Sequence, residues 1–141
     1  MKQVTIAIPD NCELKQDGNT YIITEKEKKL TYEDVVKELY PNSHQKLMAG
    51  YFNSEKHLQK LIATNKLMNV AKYLNSDWQP NWSSDEDKYY IYYSNQYGGL
   101  RIDVAVSVQE NNIFFKSKEL AEKAIEILGE DTIKLVLCTD Y

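Results

Sequence analysis

The stretch YYIYYSNQYGGLRIDVAVSV, residues 89–108, decides the fold of this chain. Its first five residues, Tyr89–Tyr93, combine aromatic and β-branched side chains, which favour a β-strand. Asn95–Gly99 contains residues typical of a turn, and apolar residues then alternate with polar ones over Leu100–Val108. The stretch therefore predicts two antiparallel strands joined by a short loop.

Further strands are predicted on both sides of this pair. Ile113–Phe115 follows a turn at Glu110–Asn112 and completes a three-stranded antiparallel meander. Near the N-terminus, apolar residues alternate over Val4–Ile8 and predict a half-buried strand, which Pro9 ends. Thr20–Thr24 is rich in β-branched residues and predicts a second strand, so the N-terminal segment is expected to form a hairpin.

Four helices are predicted from capping residues and apolar spacing. Thr31 begins a capping-box pattern ahead of a short helix, Ser54 precedes the longest helix, and Ser117 precedes a third. Glu130–Leu137 has the β-branched content of a strand and also a possible cap, and we favour a short helix there. The pattern predicts a single α+β domain over residues 1–141, with an antiparallel sheet and helices packed on one face.

Composition limits the classes of partner. With 141 residues, of which 43% are hydrophobic, the chain has enough apolar surface for one core. Its net charge is −4, and Arg101 is the single Arg beside sixteen Lys. This balance argues against a duplex-binding protein, because such proteins neutralise phosphates and read bases largely with Arg. No apolar run approaches the roughly 20 residues of a membrane helix, and no secretory signal pattern is evident, so a cytoplasmic location is expected.

Catalytic and metal-binding signatures are not evident in the sequence. His44 and His57 stand outside any nucleophile–base motif, and Cys12 and Cys138 lack the spacing of a zinc site. The acidic run Asp85–Asp87 is interpreted as a solvated loop. We therefore predict that the protein is not an enzyme and uses no cofactor or metal. Besides protein binding and nucleic-acid binding, a third class of function would be a hydrolase that uses His57 with the acidic loop.

Aromatic residues are concentrated in one part of the chain. Seven of the sixteen aromatic residues lie within residues 78–97. Strand alternation places Tyr90 and Tyr92 on one face and the intervening residues on the other, which is expected to be the core face. Tyr90 and Tyr92 then either pair across strands over Arg101 or Asp103, or form an exposed aromatic platform. The candidate binding residues are Tyr90, Tyr92, Tyr97, Arg101 and Trp82.

Such a platform suits two classes of ligand. A protein partner would dock on it, because Tyr, Trp and Arg are enriched at interfaces, or would add a strand to the sheet edge. Single-stranded nucleic acid would stack its bases on the rings, but it also needs a basic groove, and the nearby loop is acidic. We therefore favour a protein partner, with single-stranded nucleic-acid binding as the alternative. The sequence leaves the oligomeric state open.

Two tryptophans stand between the longest helix and the Tyr-rich strand. Trp78 and Trp82 flank Pro80 at this junction. Large aromatic side chains at such junctions commonly bury against both elements. At least one of the two is therefore expected to anchor the core.

Three motifs occur at the beginning, middle and end of the chain. They are KQVTIAIPDNCEL over residues 2–14, W-x-P-x-W followed by K-Y at Trp78, Pro80, Trp82, Lys88 and Tyr89, and F-x-S-x-E-L-A-E-x-A from Phe115. In this combination the chain resembles a family of small proteins encoded by phages and mobile elements of gut anaerobes. It departs from the family at Leu30–Asp34, where members often carry a Trp-Glu-Glu element. The resemblance implies a cytoplasmic accessory protein of a mobile element and assigns no chemistry.

Overall fold

The chain forms nine regular elements within residues 4–41, 51–109 and 112–137, which are the residues that the computed structural model describes. In chain order these are β1 (Cys12–Asp17), β2 (Thr20–Glu25), α1 (Tyr32–Leu39), α2 (Glu55–Asn75), β3 (Lys88–Ser94), β4 (Gly99–Ala105), β5 (Phe114–Phe115), α3 (Lys118–Leu128) and α4 (Glu130–Leu137). The predicted α+β class is confirmed, with a two-stranded hairpin and a separate three-stranded antiparallel sheet.

The three-stranded sheet has β3 at its centre. β3 pairs antiparallel with β4 along its whole length, and Tyr92 lies opposite Arg101. On its other side, β3 pairs with the two residues of β5. Tyr90 thus has a neighbour on each side, Asp103 on β4 and Phe114 on β5. The strand order is β4-β3-β5, so the chain returns past β4 to finish the sheet beside β3.

One face of this sheet is buried against the helices. Because side chains alternate along a strand, Ile91 of β3 and Phe115 of β5 point to the same face, and both are buried. They join residues from all four helices in one buried cluster, which consists of Val35, Leu67, Val70, Ala71, Ile91, Phe115, Ala121, Ala124 and Ile133. The prediction that the helices pack on one face of the sheet is therefore confirmed.

The helices begin at the predicted caps. The Thr31 hydroxyl accepts a hydrogen bond from the backbone N–H of Asp34 (3.2 Å), and the Asp34 carboxylate accepts one from the backbone N–H of Thr31 (3.1 Å). Ser54 and Ser117 cap α2 and α3 with their side-chain oxygens. Glu130–Leu137 forms α4, which confirms the helix favoured for that segment.

A polar junction fixes α1 on α2. The Asn69 amide on α2 donates to the Tyr32 hydroxyl (3.0 Å), and its oxygen accepts from the Tyr40 hydroxyl (2.8 Å). Both ends of the amide are therefore hydrogen-bonded, which removes the cost of burying a polar group without a partner. The junction holds α1 so that Val35 reaches the buried cluster.

The prediction of a strand at Val4–Ile8 is wrong. Residues 4–8 form no strand, and Val4 and Ile6 are 83% and 54% exposed. The hairpin begins instead at Cys12, after a turn in which the Pro9 carbonyl accepts a hydrogen bond from the Cys12 N–H (2.9 Å). Alternating apolar residues make a strand only where a neighbour supplies backbone hydrogen bonds, and β1 finds that neighbour in β2.

Some predicted features fall outside the described residues. The connection predicted between the first two helices and the turn at Glu110–Asn112 are described only in part, and His44 and Cys138 are not described. Cys12 is a free thiol. Within the described ranges, no helix has both the length and the apolar character needed to cross a membrane.

Asp34 is expected to make the stability of the protein depend on pH. The hydrogen bonds from Thr31, with a further one from the Lys28 ammonium (3.2 Å), lower the pKa of the Asp34 carboxyl from 3.8 to about 2. Because the folded-state pKa is lowered, this contribution is complete above pH 3.8 and is lost as the pH falls through about 2. Asp34→Asn should remove this part of the acid sensitivity.

Denaturant unfolding of the native protein and Asp34→Asn, over a series from about pH 5 to about pH 2, measures this effect. The free energy of unfolding should fall more steeply with acid in the native protein than in the variant. Parallel pH profiles would show that the capping carboxylate contributes no pH dependence.

Candidate functional site

The candidate site lies on the outward face of the three-stranded sheet. Lys88, Tyr90 and Tyr92 alternate along β3 on the side opposite Ile91. None of the three belongs to the buried cluster against which the helices pack. The loop between α2 and β3, residues 76–87, lies over one end of this outward face through Trp82.

Four aromatic rings form a continuous row on this side. Between ring centroids, Tyr92 lies 6.2 Å from Tyr90, and Tyr90 lies 6.0 Å from Phe114. Phe114 lies 4.9 Å from Trp82, and both contacts of Phe114 are edge-to-face, which aromatic quadrupoles favour. Phe114 is 8% exposed, whereas the other three rings are half-buried. We call Trp82, Tyr90, Tyr92 and Phe114 the aromatic face.

The two other predicted residues lie at the Tyr92 end of the aromatic face. Arg101 is opposite Tyr92, and its guanidinium carbon lies 5.4 Å from the centroid of the Tyr97 ring, within cation–π range. Tyr97 belongs to the turn between β3 and β4, where Gly98 adopts a φ of +62° that other residues disfavour. Of the five candidate residues, Trp82, Tyr90 and Tyr92 belong to the aromatic face, whereas Arg101 and Tyr97 lie at its Tyr92 end, the end opposite Trp82.

Asp103 is the cross-strand neighbour of Tyr90. Its carboxylate accepts a hydrogen bond from the backbone N–H of Val104 (2.8 Å). This contact satisfies a backbone donor on β4, an edge strand of the sheet, and so protects part of that edge. The carboxylate is thereby held at the border of the aromatic face.

Lys88 is a fully buried cation beside the aromatic face. Its ammonium donates to the backbone carbonyls of Glu86 (2.7 Å), Val106 (3.0 Å) and Ser84 (3.5 Å). The same nitrogen lies 5.0 Å from the centroid of the Trp82 ring. A lysine ammonium has three donors, and each has a carbonyl acceptor here. Because a buried cation without partners costs several kcal/mol, Lys88 holds both chain segments and Trp82 in place.

The loop before β3 is also fixed by its own side chains. The Glu86 carboxylate accepts a hydrogen bond from the Asn81 N–H (2.9 Å), and the Asn81 side-chain oxygen accepts one from the Ser83 N–H (2.9 Å). These bonds bracket Trp82 and limit the positions that its ring can take. The acidic run Asp85–Asp87 is exposed, which confirms its interpretation as a solvated loop.

A cleft of about 530 Å³ opens beside the aromatic face and shares Trp82 and Phe114 with it. Its other lining residues include Trp78, Pro80, Met68, Ile113, Lys72, Gln79, Gln109 and Asn112. We call it the tryptophan cleft. Trp78 and Trp82 are both half-buried and lie outside the buried cluster. Trp82 packs edge-to-face on the buried Phe114 and lies over the buried Lys88, so its contacts with buried residues are on the outward face of the sheet.

Asn75, the last residue of α2, closes the open edge of β5. Its amide donates to the Phe114 carbonyl (2.9 Å), and its oxygen accepts from the Lys116 N–H (3.0 Å). The side chain thus takes the place of a further strand and fixes Phe114 in the aromatic face. Sequence patterns do not point to Asn75 or Phe114 as site residues or to the burial of Lys88. One sequence signal was present for Lys88: it stands two residues before Tyr90, and residues two apart on a strand share a face.

Two observations concern the residues considered above for metal binding and catalysis. Within the described ranges, no cluster of three or more His, Cys, Asp or Glu side chains could hold a metal ion. His57 lies in the cap of α2, where its ring nitrogen accepts from the Asn53 N–H (3.0 Å) and its backbone N–H donates to Ser54 (3.1 Å). The aromatic face and the tryptophan cleft offer rings, side-chain amides and the Arg101 guanidinium.

Lys88→Met should destabilise the protein and loosen Trp82. Methionine keeps most of the side-chain volume but donates no hydrogen bonds, so the three carbonyls lose their shared donor at a cost of about 2–4 kcal/mol. Lys134→Met is the matched control, because the Lys134 ammonium also lies 5.0 Å from a ring centroid, that of Tyr93, but its side chain is exposed. The control should cost less than about 1 kcal/mol. Denaturant unfolding followed by tryptophan fluorescence measures both, and equal losses would contradict the role assigned to Lys88.

Comparison of the chain with protein-family models, with curated proteins and with solved structures gave no match. The resemblance to small phage and mobile-element proteins therefore stays a prediction from three sequence motifs. The aromatic face and the tryptophan cleft are the observations from which a function is proposed.

Proposed function

We propose that this chain is a non-catalytic protein-binding module and that its aromatic face contacts the partner. The proposal is carried by the one-sided packing of the sheet. The helices cover the face that contains Ile91, whereas the rings of Tyr90 and Tyr92 lie half-buried on the other. An antiparallel sheet with one solvated face usually carries polar residues there. A row of Tyr and Trp in that place has the composition of a protein interface.

The geometry of the aromatic face favours binding. Its rings contact one another, and Lys88 holds Trp82, so few side-chain rotamers are lost when a partner docks. The exposed Arg101 can bind a carboxylate of the partner through two hydrogen bonds. The tryptophan cleft has room for an apolar side chain of the partner. We therefore propose a partner segment that presents an apolar anchor beside an acidic residue.

Single-stranded nucleic acid is the alternative occupant of the aromatic face. Its bases would stack on the rings, but its backbone requires a basic groove. Exposed cations close to the site are Arg101 beside the rings and Lys72 in the tryptophan cleft, whereas Lys88 is buried against carbonyls. Carboxylates are also exposed nearby, those of Asp85 and Asp87 on the loop and that of Asp103 opposite Tyr90. With a net charge of −4 for the whole chain, this balance favours a protein over a polyanion.

The cellular role that we propose is that of an accessory protein of a phage or mobile element, acting in the cytoplasm. The support for this role is the resemblance of the three sequence motifs. In this role the chain would act by occupying a surface of another protein, which requires an interface and no catalytic group. The aromatic face is our candidate for that interface.

Replacing Tyr90 and Tyr92 together by Ala should weaken partner capture and leave the fold intact. Aromatic hot spots contribute about 2 kcal/mol or more to binding, so the affinity should fall at least about 30-fold. Affinity purification of the tagged chain from cells that express it naturally, followed by mass spectrometry, identifies the partner. Titration of the purified partner then gives Kd for the native protein and the double variant.

Tyr51→Ala is the matched control, because Tyr51 is fully exposed and lies outside the aromatic face. It should bind as the native protein does, and circular dichroism should show the same fold for all three proteins. Equal affinity of the double variant and the native protein would refute the proposal. Capture that nuclease destroys, with salt-dependent quenching of Trp82 fluorescence by single-stranded DNA, would establish the alternative instead.

A further inference from the structure

The N-terminal hairpin exposes a set of large apolar side chains. Tyr21 and Ile22 are 59% and 44% exposed, and Leu14 and Ile23 are also exposed. Within the described residues, β1 and β2 hydrogen-bond only to each other as strands. An isolated two-stranded hairpin is marginally stable in water, and three or more strands with an apolar face are usually needed. The exposed apolar side chains of the hairpin are therefore typical of strands that belong to a sheet with more than two strands.

The two edges of the hairpin differ in their protection. β1 carries the charged residues Glu13, Lys15 and Asp17, and the first two form an ion pair (3.0 Å). β2 has no charge and no proline from Thr20 to Thr24. Proteins commonly protect edge strands with charged residues, bulges or proline, and an unprotected apolar edge is a site for pairing with another strand. The outer edge of β2 is such an edge.

We propose that a second copy of this chain pairs antiparallel along the outer edge of β2, so that two hairpins form one four-stranded sheet. A two-fold axis at Ile22 places this residue opposite Ile22 of the partner subunit. Tyr21 then faces Ile23 of the partner subunit, and Thr20 faces Thr24 of the partner subunit. Aromatic–aliphatic pairs of this kind stabilise antiparallel sheets, and no charges meet between residues 20 and 24 of the two copies. The edge is therefore complementary to itself, as a two-fold interface requires.

Pairing along β2 gives each β2 strand a neighbour on both sides and joins two hairpins into one sheet of four strands, whereas a lone hairpin is marginal in water. Tyr21, Ile22 and Ile23, each more than 40% exposed, gain cross-strand neighbours in this sheet. This dimer is independent of the aromatic face and of the function proposed for it.

Sedimentation equilibrium of the full chain, from low micromolar to several hundred micromolar, tests the dimer. The native protein should dimerise, and Ile22→Lys should weaken dimerisation at least about 100-fold, because two ammonium groups would meet on the two-fold axis. Ile62→Lys is the matched control, since Ile62 on α2 is 40% exposed and lies far along the chain from the hairpin. A native protein that stays monomeric throughout, or a dimer that Ile22→Lys leaves unchanged, would overturn the proposal.

Disulfide cross-linking tests the register. In a background with Cys12→Ser and Cys138→Ser, Ile22→Cys should form a covalent dimer on mild oxidation, because directly opposed residues have the Cα separation of a disulfide. Thr20→Cys should cross-link at least about tenfold more slowly, since it faces Thr24 of the partner subunit and lies far from its own counterpart. Faster cross-linking through position 20 than through position 22 would reject the proposed pairing.

Discussion

A buried lysine organises the outward side of this fold. The three donors of Lys88 reach carbonyls from two chain segments, the loop at Ser84 and Glu86 and the residue that follows β4, Val106. Because an ammonium without these acceptors would cost several kcal/mol, the loop is tied to the sheet. Trp82 lies over the same ammonium, and its position then defines one end of the aromatic face and one wall of the tryptophan cleft.

The two faces of the three-stranded sheet differ in what packs against them. On the inner face, Ile91 and Phe115 join the helices in the buried cluster that stabilises the fold. On the outer face, Tyr90 and Tyr92 lie outside that cluster and remain half-buried, and this difference is the basis of the binding role that we propose. If the hairpin also joins two copies, each dimer presents two aromatic faces, and a partner with repeated sites would bind with increased avidity.

Sequence patterns predicted the elements whose partners lie close along the chain. Aromatic and β-branched content located β3, and period-two alternation located β4, although β4 ends at Ala105 and the predicted strand continued to Val108. Alternation also placed Tyr90 and Tyr92 on the face opposite Ile91, and local capping residues located the helices. The patterns failed where contacts between residues far apart in the chain determine the structure. Val4–Ile8 alternates but has no strand beside it, the burial of Lys88 depends on the carbonyl of Val106, and Phe114 is fixed by Asn75 at the end of α2.

Photo-cross-linking in cells that naturally express this chain tests the binding role of the aromatic face most directly. A benzophenone amino acid in place of Tyr92 reports what touches the aromatic face, and the same group in place of Phe52, which is 48% exposed near the start of α2, is the control. We expect one protein to be cross-linked through position 92 and not through position 52. Cross-links to nucleic acid, equal protein cross-links at both positions, or none at position 92 would contradict a protein-binding aromatic face.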